Sequence, residues 1–183
     1  IWDAVFQKAE QGHVFCKYMI ANAYYYCTAA EFLNITPQRV GSKRYERLQY
    51  EWIAAAVKLY EECATRGLGI AIPNLVDILR TGRHGAPIQQ QKAKNYIHIG
   101  AQMGIGAYER IVGNEYRDDN ELGRAVELYE RAILHKDDYA YYCLGRLYTY
   151  GGALPLDLKK ALSYLEKGYE KLPDDAGFCN LLG

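Results

Sequence analysis

Apolar residues recur along this chain at intervals of three and four, with charges between them, and no stretch alternates long enough to require a strand. The spacing predicts helices near residues 2–11, 14–32, 44–65, 70–81, 89–103, 106–117, 121–135, 138–150, 157–171 and 175–182. Gly67, Gly104 and the segment from Gly82 to Gly85 fall between them, where tight helix-to-helix turns use left-handed backbone. A turn is also expected at Gly151-Gly152. Pro87 and Pro155 precede second helices, and Asp119 and Asp157 are placed to accept free amides at helix starts.

The helices repeat in pairs. Ala140, Leu144, Gly145 and Tyr148 are followed by Lys160-Ala161 and Tyr164, and Val112-Gly113 and Tyr116 by Arg124-Ala125, Leu128 and Tyr129. Ala71, Leu75 and Leu79 are followed by Lys92-Ala93 and Tyr96, and Ile20-Ala21 and Tyr24 by Ala55-Ala56, Leu59 and Tyr60. The alanines Ala56, Ala93, Ala125 and Ala161 are 37, 32 and 36 residues apart, a period that fits one helix hairpin per repeat. Seven residues beyond each stands a small residue, Cys63, Gly100, Ala132 or Gly168, as close packing of helix axes requires. The fold expected is all-α: an α/α superhelix, a right-handed solenoid of antiparallel helix hairpins. One domain is expected over 1–183, with repeats at about 13–67, 68–104, 105–137 and 138–174 and partial repeats at 1–12 and 175–183. The first repeat carries an insertion of roughly twenty residues. It contains Asn34, Pro37, Gly41 and Ser42, and reads as two lengthened helices joined by a projecting loop.

The pattern A-x-x-x-L-G-x-x-Y-x-x-G followed by K-A-x-x-Y resembles the Sel1-like repeat family, relatives of the tetratricopeptide repeats. Its clearest carriers are Ala140, Leu144, Gly145, Tyr148, Gly151, Pro155, Asp157, Lys160, Ala161, Tyr164 and Lys167. Val76 stands where the family has glycine and Tyr108 where it has alanine. The resemblance implies an adaptor that assembles complexes, in bacteria often tied to signalling, envelope or host contact, with no cofactor and no reaction. A secreted or periplasmic factor acting on a host or envelope target is the alternative.

In such arrays the first helix of each hairpin tends to line the concave face, so its residues outside the packing motif are candidates for a protein or peptide partner. Two residues after each anchor come Asn22, Asp77, Asn114 and Arg146; two before it come Tyr18, Pro73, Arg110 and Tyr142; five after it come Tyr25, Arg80, Arg117 and Thr149. Tyr18, Asn22, Tyr25, Asp77, Arg80, Arg110, Asn114, Arg117, Tyr142 and Arg146 are the partner-binding residues expected, because tyrosine and arginine anchor interfaces and amides pair with peptide backbone. Tyr24, Tyr96, Tyr116, Tyr148 and Tyr164 are assigned to the core, whereas Tyr25, Tyr26, Tyr139 and Tyr142 are left free to recognise something.

Composition narrows the alternatives. Lysine plus arginine equals aspartate plus glutamate at 22 each, so no bulk field draws the chain to nucleic acid. Apolar runs are too short for membrane insertion or a signal peptide, although the chain begins at Ile1 and an upstream segment is expected; cytoplasmic, periplasmic and secreted locations stay open. Five cysteines with no C-x-x-C suggest free thiols rather than zinc, and Cys63 reads as a buried small residue. His13, His84, His98 and His135 show no metal-binding spacing, and no residues converge as catalysis requires. Further repeats or a neighbouring molecule are expected to cover the ends of the array.

Overall fold

A computed structural model describes residues 1–150 and 157–182. The expected turn at Gly151-Gly152 and Pro155 lie outside the described residues. Among the described residues there is no strand, and the helices are α1 (Trp2–Glu10), α2 (Val14–Tyr25), α3 (Ala29–Phe32), α4 (Pro37–Val40), α5 (Ser42–Thr65), α6 (Ile72–Thr81), α7 (Gln90–Gln102), α8 (Gly106–Asp118), α9 (Leu122–Leu134), α10 (Tyr139–Tyr150), α11 (Leu158–Lys171) and α12 (Ala176–Leu182). None is long and apolar enough to cross a membrane. The chain forms two compact units, Ile1–Tyr96 and Ile97–Gly183.

Three of the second helices, α5, α7 and α9, end in one recurring way, each on the carbonyl of its small residue. The amides of Leu68, Ile105 and Asp137 each donate to a carbonyl five residues back, on Cys63, Gly100 and Ala132, at 2.9 Å. The residue just before each donor, Gly67, Gly104 or Lys136, is in the left-handed region, with φ of 86°, 80° and 64°. This is the Schellman closure of a helix, in which glycine is preferred because a side chain at positive φ is strained. The third closure lacks its glycine. Replacing Lys136 with Gly is therefore expected to raise stability by about 1 kcal/mol, read as a higher midpoint in urea.

Close packing follows the repeat within each unit. A Cβ on Gly145 would lie 2.4 Å from Leu165, and one on Gly113 2.8 Å from the Tyr129 ring, so these glycines are where the second helix presses on the first. Tyr108, in the position where alanine is usual, is accommodated by Gly100: a Cβ there would sit 2.4 Å from the tyrosine ring. In the first unit Val76 takes the glycine position and is buried.

The insertion differs from the expected projecting loop. Helix α2 stops at Tyr25 rather than running to residue 32, because Cys27 turns left-handed at φ 57° and reverses the chain. The residues after it fold back. Ala29 and Ala30 pack on Trp52 with Tyr24, Cys27, Phe32, Ile35, Tyr45 and Leu48 around them, forming a separate small core. Phe32 stacks on Trp2 of α1 at 4.3 Å between ring centroids. Only the second helix of the pair, the 24-residue α5, is lengthened. Burial of several aromatic side chains outweighs solvation of a short loop, since each such ring contributes on the order of 2 kcal/mol.

Helix starts agree with expectation at one end and not the other. Asp157 caps α11, its carboxylate accepting from the Lys160 amide at 3.0 Å. Asp119 caps nothing: α9 begins at Leu122, and the residues before it, with Asn120 at φ 62°, close α8 instead.

Candidate functional site

In the first unit the first helices of two hairpins, α2 and α6, are tied to each other by polar side chains. Tyr60, fully buried on α5, donates its hydroxyl to Asn22 Oδ1 at 2.7 Å. Asn74 Nδ2 donates to the same oxygen at 3.0 Å and to Tyr60 Oη at 3.1 Å. Tyr25 donates to Asp77 Oδ2 at 2.7 Å while the Arg83 guanidinium lies over its ring at 4.6 Å. Burial, reinforced by the bond to Asp77, pushes the Tyr25 hydroxyl up to about 12. Burial likewise raises Tyr60.

Of the residues singled out from sequence in this unit, Asn22, Tyr25 and Asp77 are thus occupied in the interior of the hairpin stack. Tyr25, expected to be free, is 8% exposed. Tyr18 is half-buried, its ring 6.2 Å from Tyr60 and 5.9 Å from the exposed Phe15. Tyr26 and Arg80 face solvent.

Nearby, the backbone at Cys27 and His84 takes positive φ, and Cys27 Sγ lies 3.6 Å from His84 Nε2 and accepts from Gln49 Nε2 at 3.7 Å. The contact joins the corner after α2 to the turn after α6 and to α5. Burial, aided by Arg83, lowers the His84 imidazole below its ordinary value.

The second unit repeats the first bond. Tyr129, fully buried on α9, donates to Asn114 Oδ1 of α8 at 2.8 Å, and burial raises its hydroxyl. Arg117 Nη1 donates to the same Asn114 oxygen at 3.3 Å, and its Nε and Nη2 hold Asp118 at 2.9 and 2.7 Å. Arg110 is fixed by Asp137 at 2.7 Å, below the Tyr139 ring. Tyr142 is half-buried against Phe178, and Arg146 stands exposed over the rings of Tyr142 and Tyr150 at 5.6 and 5.9 Å.

The pairing of polar positions is regular. Where the first helix carries asparagine, Asn22 or Asn114, the second carries tyrosine four residues after its alanine, Tyr60 or Tyr129. Where it carries Asp77 or Arg146, that position is apolar, Ile97 or Leu165. A buried hydroxyl needs an acceptor, and the asparagine supplies it. The exposed tyrosines of the unit are Tyr139, Tyr150 and Tyr169.

Arg117, Asn120, Leu122, Cys143, Arg146, Leu147 and Tyr150 line a recess of about 250 Å³ between α8 and α10. Cys143 forms part of its wall, its thiol raised by burial.

Two features escaped the sequence reading. Glu109 of α8 is fully buried, its carboxylate held by Arg131 of α9 at 2.7 Å and by His135, the residue that ends α9, at 2.6 Å. His98 likewise meets Glu115 at 2.9 Å. A charged residue on an amphipathic helix gives no sign in sequence of facing inward; Arg131 and His135, four apart at the end of the second helix, were the available signal.

No family model matches the chain, and no curated protein resembles it significantly. Solved structures do. A Sel1 repeat protein from Oxalobacter formigenes superposes with a TM-score of 0.60 at 21% identity, over 91% of this chain and 60% of that one. A protective antigen present in uropathogenic Escherichia coli strains and displaying an SLR fold gives 0.56 at 18% identity, over 92% of this chain and 40% of the other. The chain therefore spans 60% and 40% of the lengths of these structures, and shares with them the all-α helical-repeat fold of Sel1-like proteins.

Proposed function

We propose that this chain, with the fold of Sel1-like repeat proteins, is a non-enzymatic scaffold that binds a peptide or protein segment along the faces of its first helices. The observation that carries this reading is how the polar row divides. Asn22, Asp77 and Asn114 satisfy buried hydroxyls or each other's neighbours. Arg80, Arg146 and the exposed tyrosines have no such duty, although exposed arginine and tyrosine are the groups that most often anchor an interface. Helices held by interior hydrogen bonds present those side chains at low entropic cost to the partner.

Selection of a randomised peptide display library on the full chain tests the reading. Sequences are expected to be enriched whose binding is lost in a variant with Arg80, Arg117 and Arg146 all changed to Gln, with unchanged helical content and melting. Enriched peptides that bind this variant equally well would refute the assignment of the face.

A further inference from the structure

We infer that the recess between α8 and α10 receives a carboxylate from an acidic, apolar-flanked segment of a partner protein. The proposal rests on the binding face proposed above and names the chemistry of what binds there. The recess offers two guanidinium groups, Arg117 and Arg146, and the amide of Asn120, and no described lining residue is acidic. Arg146 is in contact with the faces of Tyr142 and Tyr150 and has no acidic partner among the described residues. It is a cation held in place by aromatic rings, with its donor edge available.

Arg117 is aimed by a relay. Tyr129 fixes Asn114, and Asn114 accepts from Arg117 Nη1, so the guanidinium is set before any ligand arrives. Its present acid, Asp118, has a side chain 67% exposed, and an ion pair so open to water is readily exchanged for a better-placed carboxylate. The negative end of α8 opposes an anion, with about half a unit charge. Its carbonyls at Glu115, Tyr116 and Arg117 are already taken by the amides of Asp119, Glu121 and Asn120, which confines that field to the turn.

Leu122, Leu147 and Tyr150 supply the apolar part of the recess. Two arginines beside an apolar wall suit one carboxylate with hydrophobic neighbours. A polyanion such as nucleic acid needs an extended basic track, and this chain has no net charge to provide it.

Fluorescently labelled octapeptide pools, built from Leu, Ile and Phe with Asp/Glu, Asn/Gln or Lys/Arg, are titrated onto the full chain and followed by anisotropy. The acidic pool is expected to bind about tenfold or more tightly than the amide pool. That preference is expected to weaken with salt, to disappear in Arg117→Gln/Arg146→Gln, and to persist in Lys58→Gln, an exposed cation on the second helix α5. Equal binding of the acidic and amide pools, abolished by Tyr150→Ala, would overturn the carboxylate and leave the binding face standing. A preference for the basic pool overturns it in the same way. Silence from all three pools overturns both.

Discussion

Replacing Tyr129 with Ala is expected to destabilise the protein by about 3–5 kcal/mol, the range for removing a fully buried aromatic side chain. The ring presses on Gly113, where a Cβ would come within 2.8 Å, so the space it leaves cannot be filled by a small adjustment of its neighbours. Tyr129→Phe separates the ring from its hydroxyl. It keeps the packing and removes only the donor to Asn114, and about 1 kcal/mol is expected, because Arg117 still satisfies the asparagine oxygen. Urea unfolding followed by circular dichroism measures both. Equal stability of Tyr129→Phe and the parent chain would mean that the tyrosine–asparagine bond contributes nothing, and the interior role assigned to Asn114 would fall.

Trp52→Ala is expected to cost a similar amount, about 3–5 kcal/mol, and to release the insertion. Trp52 is 7% exposed and is the centre on which Ala29 and Ala30 pack. The chain has two tryptophans, Trp2 and Trp52, so the variant leaves Trp2 as its only indole. Trp2 stacks on Phe32 of the insertion, and its emission is expected to shift to the red as that contact is lost. A loss below about 0.5 kcal/mol, of the size found for surface positions, with Trp2 emission unchanged, would restore the projecting loop.

Periodicity made the helices legible. The alanine and the small residue seven positions later mark where helices approach each other, and the glycines at 67 and 104 mark where they end; packing and backbone geometry leave few other residues for those places. The turn at Lys136 and the reversal at Cys27 were less visible, because positive φ at a residue with a side chain is enforced by surrounding contacts and leaves no mark in composition. The break in the first long helix was missed for that reason.

The candidate site was half legible. Choosing polar residues at fixed offsets from the anchors picked out positions on the first helices, but it could not distinguish a side chain facing solvent from one satisfying a buried partner. Asn22 and Asn114 belong to the second kind, and the sign was present on the opposite helix, where Tyr60 and Tyr129 occur in just those repeats. Arg146 and Arg80 lack such counterparts. The buried Glu109 shows the same limit from the other side, since its partners lie 22 and 26 residues away along the sequence and meet it only after the hairpin closes.

Hydrogen–deuterium exchange of the chain, alone and saturated with a peptide selected on it, tests the binding face most directly. The amides of α8 and α10 are expected to gain protection, with those of α9 and α11 unchanged. Protection confined to α9 and α11 would contradict the assignment of binding to the first helices.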